Sequence, residues 1–135
     1  MTADDAALQL VLALHRLVRS LRTPGQHPTR LLLLVQLIQG GPQRIGELAD
    51  RIPCSQPTAT TVANALAVEG LVRRVRDTSD GRAIQLQITD AGRAAVEGVV
   101  RGQADKLGER LTALAPAERA QVLAAVPVLR KMTTG

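Results

Sequence analysis

The sequence predicts a mainly α-helical chain that carries one small β-hairpin. Three observations lead there. Long stretches place apolar residues at helical spacing, residues 84–88 alternate apolar with polar, and a turn cluster at 77–81 stands just before them. The 135 residues suit one domain with a hydrophobic core, and no internal repeat divides them. An apolar fraction of 45% is too high for disorder, and with no Phe, Tyr or Trp the core must be Leu, Val, Ile and Ala.

Taken in order, "DAALQLVLALHRLVRSLR" reads as a helix to about Arg22, with Asp4 and Asp5 able to cap its start and favour its positive end. Leu8, Val11, Leu12 and Val18 form one apolar stripe; Leu10, Leu14, Leu17 and Leu21 form another. One small core does not need both, and burial against a second chain explains the excess. "TPGQHP" breaks the helix. "TRLLLLVQLIQ" is a second helix, called so for its length and leucine content, and it ends at Gly40 and Gly41. "QRIGELADRI" is a short third helix with Ile45, Leu48, Ala49 and Ile52 on one face. After "PCS", Ser55 can cap a fourth helix, "QPTATTVANALAVEG". Its proline lies in the first turn, where a missing N–H does little harm, and Gly70 stops it. Two short helices joined by so tight a turn are a helix-turn-helix candidate, although many bundles share the spacing.

"LVRRVR" is then a strand, 77–81 a turn strongest at Asp80-Gly81, and "AIQLQIT" a strand. Ile84, Leu86 and Ile88 should face inward, with Gln85 and Gln87 outward. A hairpin directly after a helix pair is the order of a winged helix. Thr89 can cap a long helix from Asp90 to about Leu114. It carries Gly92, Gly98, Gly102 and Gly108, each costing about 0.8–1 kcal/mol relative to alanine. Gly98 and Gly102 share a face, so either a close helix contact or a merely weak helix accounts for them. "PAERAQVLAAVPVLRKM" is the last helix, with Pro116 at its first position and Pro127 set to kink it or end its regular part.

At 100° per residue, Ala59, Val62, Ala63 and Leu66 of the fourth helix cluster inward. Thr60, Thr61 and Asn64 point away, and Gln56, Pro57 and Thr58 follow Ser55 at the amino-terminal tip. A recognition helix presents such a tip to base edges in the major groove, where Gln and Asn bond adenine bidentately and Thr bonds either way. The same residues would also suit an ordinary solvated face, and it is the hairpin that favours the DNA reading.

The net charge is +5, and 15 of the 17 basic residues are arginine, which favours nucleic acid over a membrane surface. The fourth helix has no Arg or Lys; its one charge is Glu69. Grip must therefore come from Arg73, Arg74, Arg76 and Arg82, within a segment 71–82 of net charge +2. Arg44 and Arg30, near helix starts, can add phosphate contacts. Arg82 is assigned to the minor groove, with Asp80 orienting its guanidinium by a bidentate pair. The competing reading is a surface pair worth under about 1 kcal/mol.

Residues 45–93 resemble the DNA-binding core of MarR-family transcriptional regulators. The wing matches that family's Asp-x-Arg pattern leading to Leu/Ile-Thr, here Asp80, Arg82, Ile88 and Thr89, and "LADRI…SQPT…L…EGLV" matches its helix pair. The resemblance implies a winged-helix core over 28–89 and dimerisation helices over 1–24 and 90–135. It implies a homodimer on a pseudo-palindromic operator of double-stranded DNA, usually as a repressor, and a small-molecule effector as a candidate partner. Thr61 and Ala65 stand where the family often carries basic residues, and Ala115 where it often has a Ser or Thr cap. Without Phe, Tyr or Trp, a pocket for phenolic compounds could not use stacking on such rings.

Other classes fit less well. Cys54 is the lone cysteine and the two histidines, His15 and His27, lie far apart, so no metal or cofactor is expected. Cys54 is read as a structural residue, with redox sensing as the alternative. No nucleophile–base pairing or Gly-rich phosphate loop points to an enzyme, and Ser55 is better explained as a cap. No apolar run reaches a membrane span and the amino terminus lacks a basic start, so cytoplasmic residence is expected. The rival function is a winged-helix protein-interaction module or a regulator that does not bind DNA.

Overall fold

The computed structural model describes residues 2–25 and 27–133; Gln26, in the expected break, lies outside them. The first helix, α1, spans Ala3–Ser20. Its cap is Thr2 rather than Asp4 or Asp5: Thr2 Oγ1 accepts the Asp5 N–H at 3.1 Å, and Asp5 Oδ2 accepts the Thr2 N–H at 3.3 Å. Asp5 thus closes a reciprocal box that satisfies two free donors. α2 spans Pro28–Gly40, α3 Ile45–Arg51 and α4 Gln56–Val68. Ser55 caps α4, its Oγ accepting the Thr58 N–H at 3.2 Å. At the far end Gly70 takes φ +76°, where a side chain would be strained, and the Leu71 N–H turns back to the Leu66 carbonyl at 2.9 Å.

That reversal sends the chain into β1, Val72–Arg76, which pairs antiparallel with β2, Ile84–Ile88. Val72 lies opposite Ile88 and Arg76 opposite Ile84. Gln43 bridges to Leu86 by two backbone hydrogen bonds, at 3.1 and 2.7 Å, so the hairpin is tied to the loop before α3. Leu86 and Ile88 are buried as expected, but Ile84 is 49% exposed. The alternation holds only over the part of the hairpin that has a core beneath it, and Ile84 belongs to its outer end.

Thr89 caps α5, Asp90–Ala113, by accepting the Gly92 N–H at 3.1 Å, and its hydroxyl donates to the Gly70 carbonyl at 2.7 Å. The last predicted helix is two: α6, Pro116–Ala124, and α7, Val126–Thr133, parted at Ala125 with Pro127 in the first turn of the second. Ala115 offers no side-chain acceptor, and Glu118 supplies the other half of the cap by accepting the Ala115 N–H at 3.1 Å.

Arg22–Val100 form one compact unit; the chain up to Leu21 with the chain from Arg101 onward forms the other. The first has the core, with Leu33, Leu37, Leu48 and Leu66 fully buried and Val72, Leu86 and Ile88 joining them. Burying such a side chain contributes on the order of 1.5–3 kcal/mol. In the second unit α1, α6 and α7 bury none of their residues. Arg110 donates to the Ser20 carbonyl at 3.2 Å and Lys106 to the Leu21 carbonyl at 3.5 Å, so two cations meet the negative end of α1. No helix among the described residues is long and apolar enough to cross a membrane.

Candidate nucleic-acid interface

The buried side of α4 is Ala59, Ala63 and Leu66. Ser55, Gln56, Pro57, Thr58, Thr60, Thr61 and Asn64 are all exposed, so the face singled out from the sequence is free of the core. Its hydroxyls are partly spoken for. Ser55 donates to Thr58 Oγ1 at 3.0 Å, Thr60 to the Gln56 carbonyl at 3.0 Å and Thr61 to the Pro57 carbonyl at 3.0 Å. Thr60 and Thr61 therefore offer a methyl group and lone pairs, Thr58 keeps its own hydroxyl proton, and Gln56 keeps its whole amide at the tip. The free N–H groups of the first turn add a positive end suited to phosphate.

The arginines fall into two groups. Arg44 is a wing anchor. Its Nε and Nη2 both donate to Asp77 Oδ2, at 3.1 and 2.7 Å, across 33 residues of sequence. Asp77 Oδ1 meanwhile accepts the Ser79 N–H at 2.9 Å and the Ser79 hydroxyl at 2.8 Å. The Arg44 hydrogen bond first, and then those from Ser79, hold this carboxyl well below the usual carboxylate range. Arg44, expected as a phosphate contact, thus also braces the base of the wing, with its side chain 44% exposed. Arg30 pairs with Glu69 at 2.6 Å. Arg73 donates to Gln87 Oε1 at 2.7 Å across the hairpin, and Arg74 Nη2 donates to Asn64 Oδ1.

Arg76 and Arg82 form the second group. Both are exposed, and among the described residues neither guanidinium takes a hydrogen bond or ion pair. The expected bidentate pair between Asp80 and Arg82 is not formed. Asp80 Oδ1 accepts the backbone N–H of Arg82 at 3.1 Å, the two-residue reach natural to an aspartate in a turn. Asp80 shapes the turn that carries Arg82 and leaves the guanidinium outside it.

Two features escaped the sequence reading. Asp77 and Ser79 carried a turn signal, an aspartate followed two residues later by a serine, but nothing local named Arg44 as the partner. Gln43 is 2% exposed, its amide donating to the Gln36 and Gly41 carbonyls at 2.9 and 3.0 Å. Its amide oxygen accepts from Arg51. A glutamine between a proline and an arginine gave no hint of such burial. Cys54 is half-buried against the core.

The sequence model of the MarR family matches residues 27–84. The transcriptional regulator Mb0904 of Mycobacterium bovis is 33% identical over 125 residues, which cover 88% of this chain and 87% of that one. The transcriptional repressor MdtR of Bacillus subtilis is 29% identical over 105 residues, covering 78% and 68%. Among solved structures, BpsR of Bordetella bronchiseptica, whose DNA binding is regulated by 6-hydroxynicotinic acid, superposes with a TM-score of 0.60 at 26% identity, covering 96% of this chain and 93% of that one.

Proposed function

The chain belongs to the MarR family of DNA-binding transcriptional regulators, and on that premise we propose that two copies bind a pseudo-palindromic operator and repress the adjoining gene until a small molecule releases them. One observation carries the DNA-binding geometry: an exposed, uncharged face on α4 beside a wing whose Arg76 and Arg82 guanidiniums are unpaired among the described residues. Residues Gln56, Pro57, Thr58, Thr60, Thr61 and Asn64 read base edges, Arg82 enters the adjacent minor groove, and Arg76 holds phosphate. Repression is supported by the likeness to MdtR, and control of DNA binding by a small molecule by the likeness to BpsR. An aromatic effector would be held here mainly by aliphatic contacts and charge, because the chain has no Phe, Tyr or Trp to stack on it.

A footprint on the DNA flanking the gene tests this directly. Two protected half-sites about 10 bp apart are expected. With three or four phosphates neutralised per protomer, binding should fall with salt at a log–log slope of roughly −5 to −7. Arg82→Ala should weaken binding by on the order of 1–3 kcal/mol. No protection, together with a flat salt response, would favour the protein-interaction module instead.

A further inference from the structure

Asn64 is the one amide on the outward face of α4 beyond its first turn, and Asn is usually expected to read adenine. That reading needs the amide in both directions, the oxygen accepting from adenine N6–H and the nitrogen donating to N7. Here the oxygen is already engaged: Arg74 Nη2 donates to Asn64 Oδ1. A guanidinium has no acceptor, so the oxygen must be the atom that faces it, and Asn64 Nδ2 must point away. Both side chains remain exposed. What the pair shows to a base edge is therefore mainly N–H, from Asn64 Nδ2 and from the rest of the Arg74 fork, against a single remaining lone pair on Asn64 Oδ1. Arg74 also brings to this face a cation that α4 does not itself possess. In the major groove guanine presents two acceptors, N7 and O6, whereas adenine sets a donor beside its N7.

We infer that Asn64 and Arg74, from two different elements, form a donor-rich, cationic pair that selects guanine in each half-site. This rests on the operator reading above. The test begins with selection of binding sites from random duplexes by the full-length protein. Affinities are then measured by fluorescence anisotropy on the selected duplex, with each guanine in turn replaced by 7-deazaguanine, which removes N7 and keeps the base pair. One guanine per half-site should show a penalty of about five- to tenfold for the wild-type protein. Arg74→Ala should cut that penalty to within about twofold. Arg74→Lys, which keeps the charge and so the salt slope, should cut it as well, because an ammonium lacks the fork. Circular dichroism checks that each variant is folded. A selected site with a penalty that survives both Arg74 variants overturns the pair and leaves the operator reading standing. So does a site in which 7-deazaadenine, and no modified guanine, exposes the dependence on Asn64. Binding with no enriched sequence overturns both.

Discussion

Gly92 shows how one missing side chain can fix a junction. A Cβ there would stand 2.2 Å from the Leu71 carbonyl oxygen and 2.6 Å from Ile88 Cγ1. The carbonyl is not free to retreat, since it accepts the Thr89 N–H at 3.1 Å. Gly92→Ala gains about 1 kcal/mol of helix propensity and loses more to overpacking, on the order of 1–3 kcal/mol before backbone adjustment. A net loss of stability in urea unfolding is expected; an unchanged midpoint would contradict the close approach. Asp77 gives a second prediction. Its folded-state carboxyl titrates lower than in the unfolded chain, because Arg44 and Ser79 hold the charged form. The stability it confers is therefore complete above the unfolded aspartate value of about 4 and drains away as pH falls below that, toward its depressed native value. Asp77→Asn should be less stable than the wild-type protein at pH 7, and the gap should narrow steadily as urea midpoints are taken from pH 5 to pH 3. A gap independent of pH would mean that the contact works by shape alone.

At the scale of elements, end signals were the most legible part of the sequence. Ser55 and Thr89 cap the helices they were expected to cap, Gly70 stops α4, and Pro127 falls where the last helix divides. Each is a local rule, satisfied within a few residues. The features that the sequence did not show share a cause as well. Arg44 meets Asp77 and Arg30 meets Glu69 only after the chain has folded back on itself, and Ile84 alternates correctly but has no core beneath it. Periodicity reports which side of an element faces inward, not whether anything lies there. The glycines of α5 remain a case where the sequence offered two readings. In the protomer a Cβ at Gly98 would meet nothing within 4 Å. If α5 is merely weak, Gly98→Ala should stabilise the protein by about 0.5–1 kcal/mol. A loss of stability or of self-association on the same change would show that a second copy approaches the helix closely there.

The whole molecule poses a question that the protomer does not answer within itself. α1 carries Leu8, Leu10, Val11, Leu12, Leu14, Leu17 and Val18, and every one is exposed, Leu8 at 60%. Val122, Leu123, Val126, Val128 and Met132 add exposed apolar groups from α6 and α7. A patch of this kind is rarely left in water, and a second copy of the same unit is the occupant the proposed operator symmetry requires. Two further consequences follow. Sedimentation equilibrium at micromolar concentration should give a dimer, and the melting temperature should rise with protein concentration, because association favours the folded state by mass action. Replacing Leu10 and Leu14 together by glutamate puts two charges into that face and should yield monomers. With the two reading units no longer linked, affinity for the full operator should fall by about a hundredfold or more, while affinity for an isolated half-site changes little. A wild-type chain that sediments as a monomer at every concentration, yet binds the full operator tightly, would remove the dimer from the proposal and leave the exposed leucines without a function.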